Sequence, residues 1–301
     1  MFPLKQLPAP HTRPHSVKVT LYAYTPGWQV DQETPLMDSG KPAIGSFDVD
    51  SLKWMTYLKF NQIDFQIRPA FEPNMSPSGR LPFLALSNGS FVTADGFEAW
   101  VQENKPKVTT ITAKEKLDHQ EAAEALAFIN LAESKIHTAL LYTLWFEPSH
   151  FNTTTRQHYF GHHVWVLVNL LSYRERSRIS QSMLLTRAQI DRELIFEEAA
   201  AAIESLAILL GDGHSHGHDE KDAEDKDKDK EFYFFGKTSP SSLDAVVFSY
   251  LHVILTLPTI RNVEADEVDA GRRSGELARI VRKHDNLYKY SQNIWNKWFT
   301  A

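Results

Sequence analysis

Three groups of side chains have types and spacings that could do chemistry. Tyr22, Tyr24 and Thr25 lie together near the end of an alternating run, and a hydroxyl there could stabilise an anion such as a thiolate. On a strand, Tyr22 and Tyr24 would project to the same side, and Pro26-Gly27 then sends the chain away instead of straight into a helix. Packing is the reading we prefer for both. Arg80 and Asp95 could orient an anionic ligand or peptide, one through a guanidinium fork and the other at a helix start; a plain helix cap is the preferred role for Asp95. Histidines form the third group. His158 and His162 are four apart, the spacing that lets two rings on one helical face share a metal, and HSHGH (His214 to His218) offers imidazoles at alternate positions. No third ligand is evident for either. The run HYFGH also lacks the glutamate a metalloprotease uses as its base, so no metal is expected.

The elements that would position these groups can be read from periodicity. VKVTLYAY alternates as a strand does, and Leu52, Met55 and Leu58 recur at helical spacing after a cap at Asp50 or Ser51. FNQIDFQIRPAF supplies the next strand. LPFLALS and FVT follow as two short strands around Asn88-Gly89, a dipeptide suited to a tight hairpin turn, and Asp95 opens a helix through Trp100. Residues between about 25 and 50 read as an irregular insertion.

Beyond Lys105-Pro106 the pattern becomes that of long helices. Ile195, Ala199, Ile203, Leu206 and Leu210 form one apolar stripe, and Leu243, Val247, Tyr250 and Ile254 form another. Thr154 with Gln157, Thr186 with Gln189, and Ser241 with Asp244 have the spacing of capping boxes. The segment from about 211 to 231 is crowded with carboxylates and lysines, and reads as a disordered loop. The fold class is therefore α+β: a thioredoxin-like βαβ-ββα domain over 17–108, after an extended proline-bearing tail over 1–16, and an all-α domain over 114–301.

Composition narrows the function. With 42% hydrophobic residues the chain can build one large or two modest cores, and a net charge of −6 supplies no basic field for nucleic acid. The absence of cysteine excludes disulfides, thiolate nucleophiles and cysteine-ligated zinc. No apolar run approaches the roughly 18 to 20 residues of a membrane span.

A proline (Pro82) at the mouth of the third strand, followed by Ala94 and Asp95 at a helix start, resembles the glutathione transferase fold. In that family this proline is cis and its neighbours present backbone groups to glutathione. SPSGRLPFL, FYFFGKTSPSSLDAVVFSYL and the terminal YSQNIWNKWF are more specific and are similar to the metaxin branch of that superfamily, over approximately residues 17 to 300. The lack of a C-terminal anchor resembles the peripheral, anchorless metaxin-like subunit of the mitochondrial sorting and assembly machinery.

The resemblance implies a role without catalysis or cofactor on the cytosolic face of the mitochondrial outer membrane. It implies work beside a second metaxin-like subunit, recognition of the C-terminal β-signal of β-barrel precursors, and help to an Omp85-type membrane barrel in receiving them. The alternative is a glutathione transferase that uses Tyr22 or Tyr24. Partner or peptide contacts are expected at Phe71, Met75, Arg80, Pro82 and Asp95. In the last helix, Leu287, Tyr290, Ile294 and Trp298 are read as its packing stripe, leaving Trp295 and Phe299 as interface candidates.

Overall fold

The computed structural model describes residues 19–25, 37–38, 45–106, 117–212, 233–258 and 275–300. The N-terminal tail, HSHGH and nearly all of the acidic segment lie outside them. In chain order the first elements are β1 (Val19–Ala23), β2 (Met37–Asp38), α1 (Val49–Phe60), β3 (Phe65–Pro69), β4 (Phe83–Ala85), β5 (Phe91–Thr93) and α2 (Phe97–Asn104). The five strands are ordered β2-β3-β1-β4-β5, with β1 parallel to β3 and every other neighbour antiparallel. The stretch read as an irregular insertion thus contributes a two-residue strand to the sheet edge.

β1 is central, which explains why its alternation does not become an alternation of burial. Leu21 and Ala23 enter the core beneath α1, while Tyr22 joins Ala70, Leu81, Phe83 and Ala85 on the opposite face, with Tyr24 packed against them. Both tyrosines therefore do lie on one side. At the hairpin, Gly89 has φ +86°, a left-handed conformation that glycine adopts without a steric penalty.

The remaining elements are helical: α3 (His119–Leu131), α4 (His137–Trp145), α5 (Pro148–His150), α6 (Arg156–Phe160), α7 (Trp165–Leu184), α8 (Arg192–Asp212), α9 (Ser242–Thr256), α10 (Glu276–Arg282) and α11 (Asp285–Phe299). The α8 and α9 stripes are buried as their spacing requires. Ser241 and Asp244 form the expected capping box. Neither threonine box starts a helix. Thr154 sits inside a π-helical turn (Phe151–Thr155) that feeds into α6, and α8 begins after Asp191, which accepts from the Glu193 amide at 2.9 Å.

α1 joins the two halves. Val49 and Leu52 belong to the helical core, whereas Met55, Tyr57 and Leu58 belong to the sheet core, and Ala245 of α9 reaches into the latter. One helix with two apolar faces thus fixes how the sheet meets the bundle. Its cap is Asp48, before both residues offered by the sequence, Asp50 and Ser51, and the Asp48 carboxylate accepts from the Ser51 amide at 2.9 Å.

Candidate functional site

The end of β1, the start of α1 and helix α6 converge at one junction. The Tyr24 amide donates to Ser51 Oγ (3.2 Å) and Ser46 Oγ donates to the Tyr24 carbonyl (2.6 Å). The Tyr159 hydroxyl donates to Asp48 Oδ1 at 3.1 Å. Around this pair stand aromatic rings: Tyr24 lies 5.2 Å, Phe47 5.1 Å and Trp145 5.5 Å from the Tyr159 ring.

This environment opposes negative charge. Burial, then the neighbouring Asp50, pushes the Asp48 carboxyl up to about 6. Burial, then Asp48, pushes the Tyr24 hydroxyl well above the usual phenol range, and the same surroundings would disfavour a neighbouring thiolate. The adjoining cavity, lined by Phe47, Leu144, Thr155, His158 and Val253 among others, holds about 50 Å³. That is room for a water or two, against the roughly 300 Å³ or more of a typical ligand pocket.

The other sequence candidates fall in different places. Tyr22 stacks on Phe83 with ring centroids 4.7 Å apart, and its hydroxyl accepts from Arg68 at 3.3 Å. Pro82 is buried, and the Leu81–Pro82 peptide is cis. Asp95 is exposed in a 3₁₀ turn (Ala94–Gly96) and makes no cap; α2 starts after Gly96. Arg80 and Met75 are exposed, whereas Phe71 is half-buried between Tyr24 and His162.

Phe299 is a correction. It is 2% exposed and packs on Phe248 in the helical core, so it has no face to offer a partner. Trp295 is stacked between it and His252, at 5.0 and 4.1 Å. Leu287, Tyr290 and Ile294 are buried as read, and Trp298 packs against the same core. The His158–His162 pairing also fails, because α6 ends at Phe160 and the chain turns. His158 lies against Phe47 (4.6 Å), and His162 faces Glu72 instead.

Sequence reasoning missed one large surface feature. Helix α7 buries Val168, Ser172, Ile179 and Met183 along one side. Val166, Leu170 and Tyr173, at steps of four and three, share the opposite side and are 56%, 63% and 75% exposed. Apolar residues on both sides of one helix are a signal available in the sequence, but only the packing tells which side is left uncovered.

Comparisons with known proteins agree with this architecture. Residues 51–176 match the family model described as outer mitochondrial membrane transport complex protein, and residues 229–294 match that of the glutathione S-transferase C-terminal domain. The chain is 28% identical to metaxin-1 of Mus musculus and of Homo sapiens, over 87% and 91% of its own length and 73% and 53% of theirs. It is 25% identical to metaxin-2 of Mus musculus, over 75% of its length and 72% of the relative's. Among solved structures, glutathione transferase F7 from Populus trichocarpa aligns over 93% of this chain and 95% of its own, with 10% identity and a TM-score of 0.48.

Proposed function

From a metaxin-like chain on a glutathione transferase-type scaffold, we propose a non-catalytic peripheral subunit of the mitochondrial outer-membrane sorting and assembly machinery, on the cytosolic face. The observation that carries this reading is the uncovered apolar face of α7, with Val166, Leu170 and Tyr173 in line. It lies within the stretch matched by the outer mitochondrial membrane transport complex family. Apolar residues aligned on an exposed helix face mark a docking surface more often than an accident of composition.

The occupant we assign is a second metaxin-like subunit. A tyrosine, a leucine and a valine without an intervening carboxylate suit the dry centre of a protein interface, and matches to both metaxin-1 and metaxin-2 are consistent with two related chains of one architecture. No helix among the described residues is long and apolar enough to cross a membrane, which fits peripheral attachment through a partner. The filled junction at Tyr24 and Asp48 supports a role without glutathione chemistry. Recognition of the β-signal belongs to the exposed end of the sheet. There β5 closes the strand order with Asp95 exposed just after it, and Met75 and Arg80 are exposed in the β3–β4 loop, so an extended peptide could add to the β5 edge before passing to an Omp85-type barrel.

The test is to purify the tagged chain from its native cell after solubilising membranes in mild detergent, beside a Leu170→Lys/Tyr173→Lys variant. The wild type is expected to bring down a second metaxin-like chain and an Omp85-type barrel in near-stoichiometric amounts. The variant, equally stable, is expected to lose the metaxin-like chain. Recovery of the wild type alone or as a self-dimer in the soluble fraction, with turnover of a glutathione conjugation substrate, would overturn the proposal.

A further inference from the structure

Away from the junction and from the α7 face, three metal-ligating side chains meet. Glu72 follows β3, in the loop that leads to β4. His162 and His163 occupy the turn between α6 and α7. One carboxylate oxygen, Glu72 Oε1, lies 3.1 Å from His162 Nε2 and 3.3 Å from His163 Nε2. The candidate ligand atoms all fall within 4.8 Å of one another, and the two ring centroids are 3.9 Å apart.

Adjacent residues on a helix or strand diverge. Here the turn, closed by the His163 amide donating to the Phe160 carbonyl at 2.9 Å, lets neighbouring rings point the same way. Phe71 lies against the His162 ring at 5.7 Å.

We propose that Glu72, His162 and His163 form a binding site for a divalent ion of the zinc class, tying the β3–β4 loop to the start of α7. The dimensions support it. A tetrahedral ion with bonds of about 2.0 to 2.1 Å to imidazole and carboxylate has edges of about 3.3 Å between its ligands, close to both nitrogen–oxygen separations. Two neutral imidazoles and one carboxylate form a borderline donor set that suits zinc better than calcium or magnesium.

Accessibility agrees. The side chains are 20% (His162), 23% (His163) and 47% (Glu72) exposed, so an ion can enter and a water can complete its coordination. His162 Nδ1 is buried with no hydrogen-bond partner among the described residues; an ion on Nε2 would place the ring proton on that nitrogen, a cost that the metal bond must exceed. The competing arrangement is a pair of simple hydrogen bonds from both rings to Glu72. Only in the metal reading does loss of the negative charge weaken a measurable ion affinity. The site does not depend on the docking role of α7, although His163 directly precedes Val164 and an ion there would steady the start of that helix.

The experiment is calorimetric titration of Zn²⁺ into the full chain carrying His214→Ala, His216→Ala and His218→Ala, which removes the competing HSHGH run. The expected result is one ion per chain with Kd at about 1 μM or tighter. Glu72→Gln keeps an acceptor oxygen for the two rings while removing the charge, and should weaken binding at least ~10-fold. His162→Gln with His163→Gln should weaken it at least ~100-fold. Absence of stoichiometric Zn²⁺ binding in the His214/His216/His218 variant, or an unchanged affinity in Glu72→Gln, would overturn the proposal. Should the double glutamine variant fail to fold, Glu72→Gln decides, with circular dichroism confirming its fold.

Discussion

The hydroxyl of Tyr159 on α6 donates a 3.1 Å hydrogen bond to the carboxylate of Asp48, which also caps α1 through the Ser51 amide. One side chain therefore starts the helix of the sheet domain and receives a contact from the helical domain. Aromatic rings close this junction around a carboxylate that burial drives towards its neutral form.

The raised Asp48 pKa fixes a sign for the pH dependence of stability. The folded state keeps its proton up to about pH 6, whereas an unfolded aspartate releases it near 3.9. Between these values the folded state binds more protons, so this residue lowers stability as pH rises. Asp48→Asn keeps an acceptor for the Ser51 amide and removes the titration. His252, held down to about 4 by burial, acts with the opposite sign in an overlapping window but is common to both proteins and cancels in their difference. Urea unfolding at pH 4 and 7 should show Asp48→Asn gaining on the wild type by on the order of 2 kcal/mol at the higher pH. A constant difference between the two proteins would refute the assignment.

Gly45 is the second point of tension at this junction. A Cβ there would lie 2.9 Å from two ring carbons of Trp295, and that ring cannot move freely because it is stacked between His252 and Phe299. Gly45→Ala should destabilise the protein by about 1–3 kcal/mol through overpacking. Combined with Trp295→Leu, the cost should be less than the sum of the two single changes, a coupling that a double-mutant cycle reads directly.

Asp244 is fully buried and accepts from the Ser241 amide (2.7 Å), the Ser241 hydroxyl (2.6 Å), the Phe234 amide (3.1 Å) and the Tyr290 hydroxyl (2.8 Å). These bonds hold the turn at Phe234, the start of α9 and helix α11 together. Tyr290→Phe removes one donor from a buried carboxylate and should cost about 1–3 kcal/mol, seen as a lower Tm. The half-buried Tyr288→Phe serves as control, with an expected change within about 0.5 kcal/mol.

Much of the scaffold was legible because it is written in local period. The Asn88-Gly89 hairpin, the α8 and α9 stripes and the Ser241–Asp244 cap depend on residues a few positions apart, and a short-range pattern records them faithfully. Where several residues satisfied one rule, the choice was less secure. Asp48, Asp50 and Ser51 can each cap a helix, and Thr154 and Thr186 have cap spacing without being helix starts.

What the sequence alone determined is the scaffold: an α+β order of strands and helices, a chain without cysteine chemistry, and motifs that resemble those of the metaxin family. Tertiary structure decided which faces remained open. Phe299 and the α7 residue Leu170 look alike as apolar helix positions, yet one packs on Phe248 at 2% exposure and the other is left 63% exposed. Glu72 and His162 stand 90 residues apart and carry no shared period. Their meeting follows from the docking of the sheet domain on the helical one, a long-range packing equilibrium that local spacing does not encode.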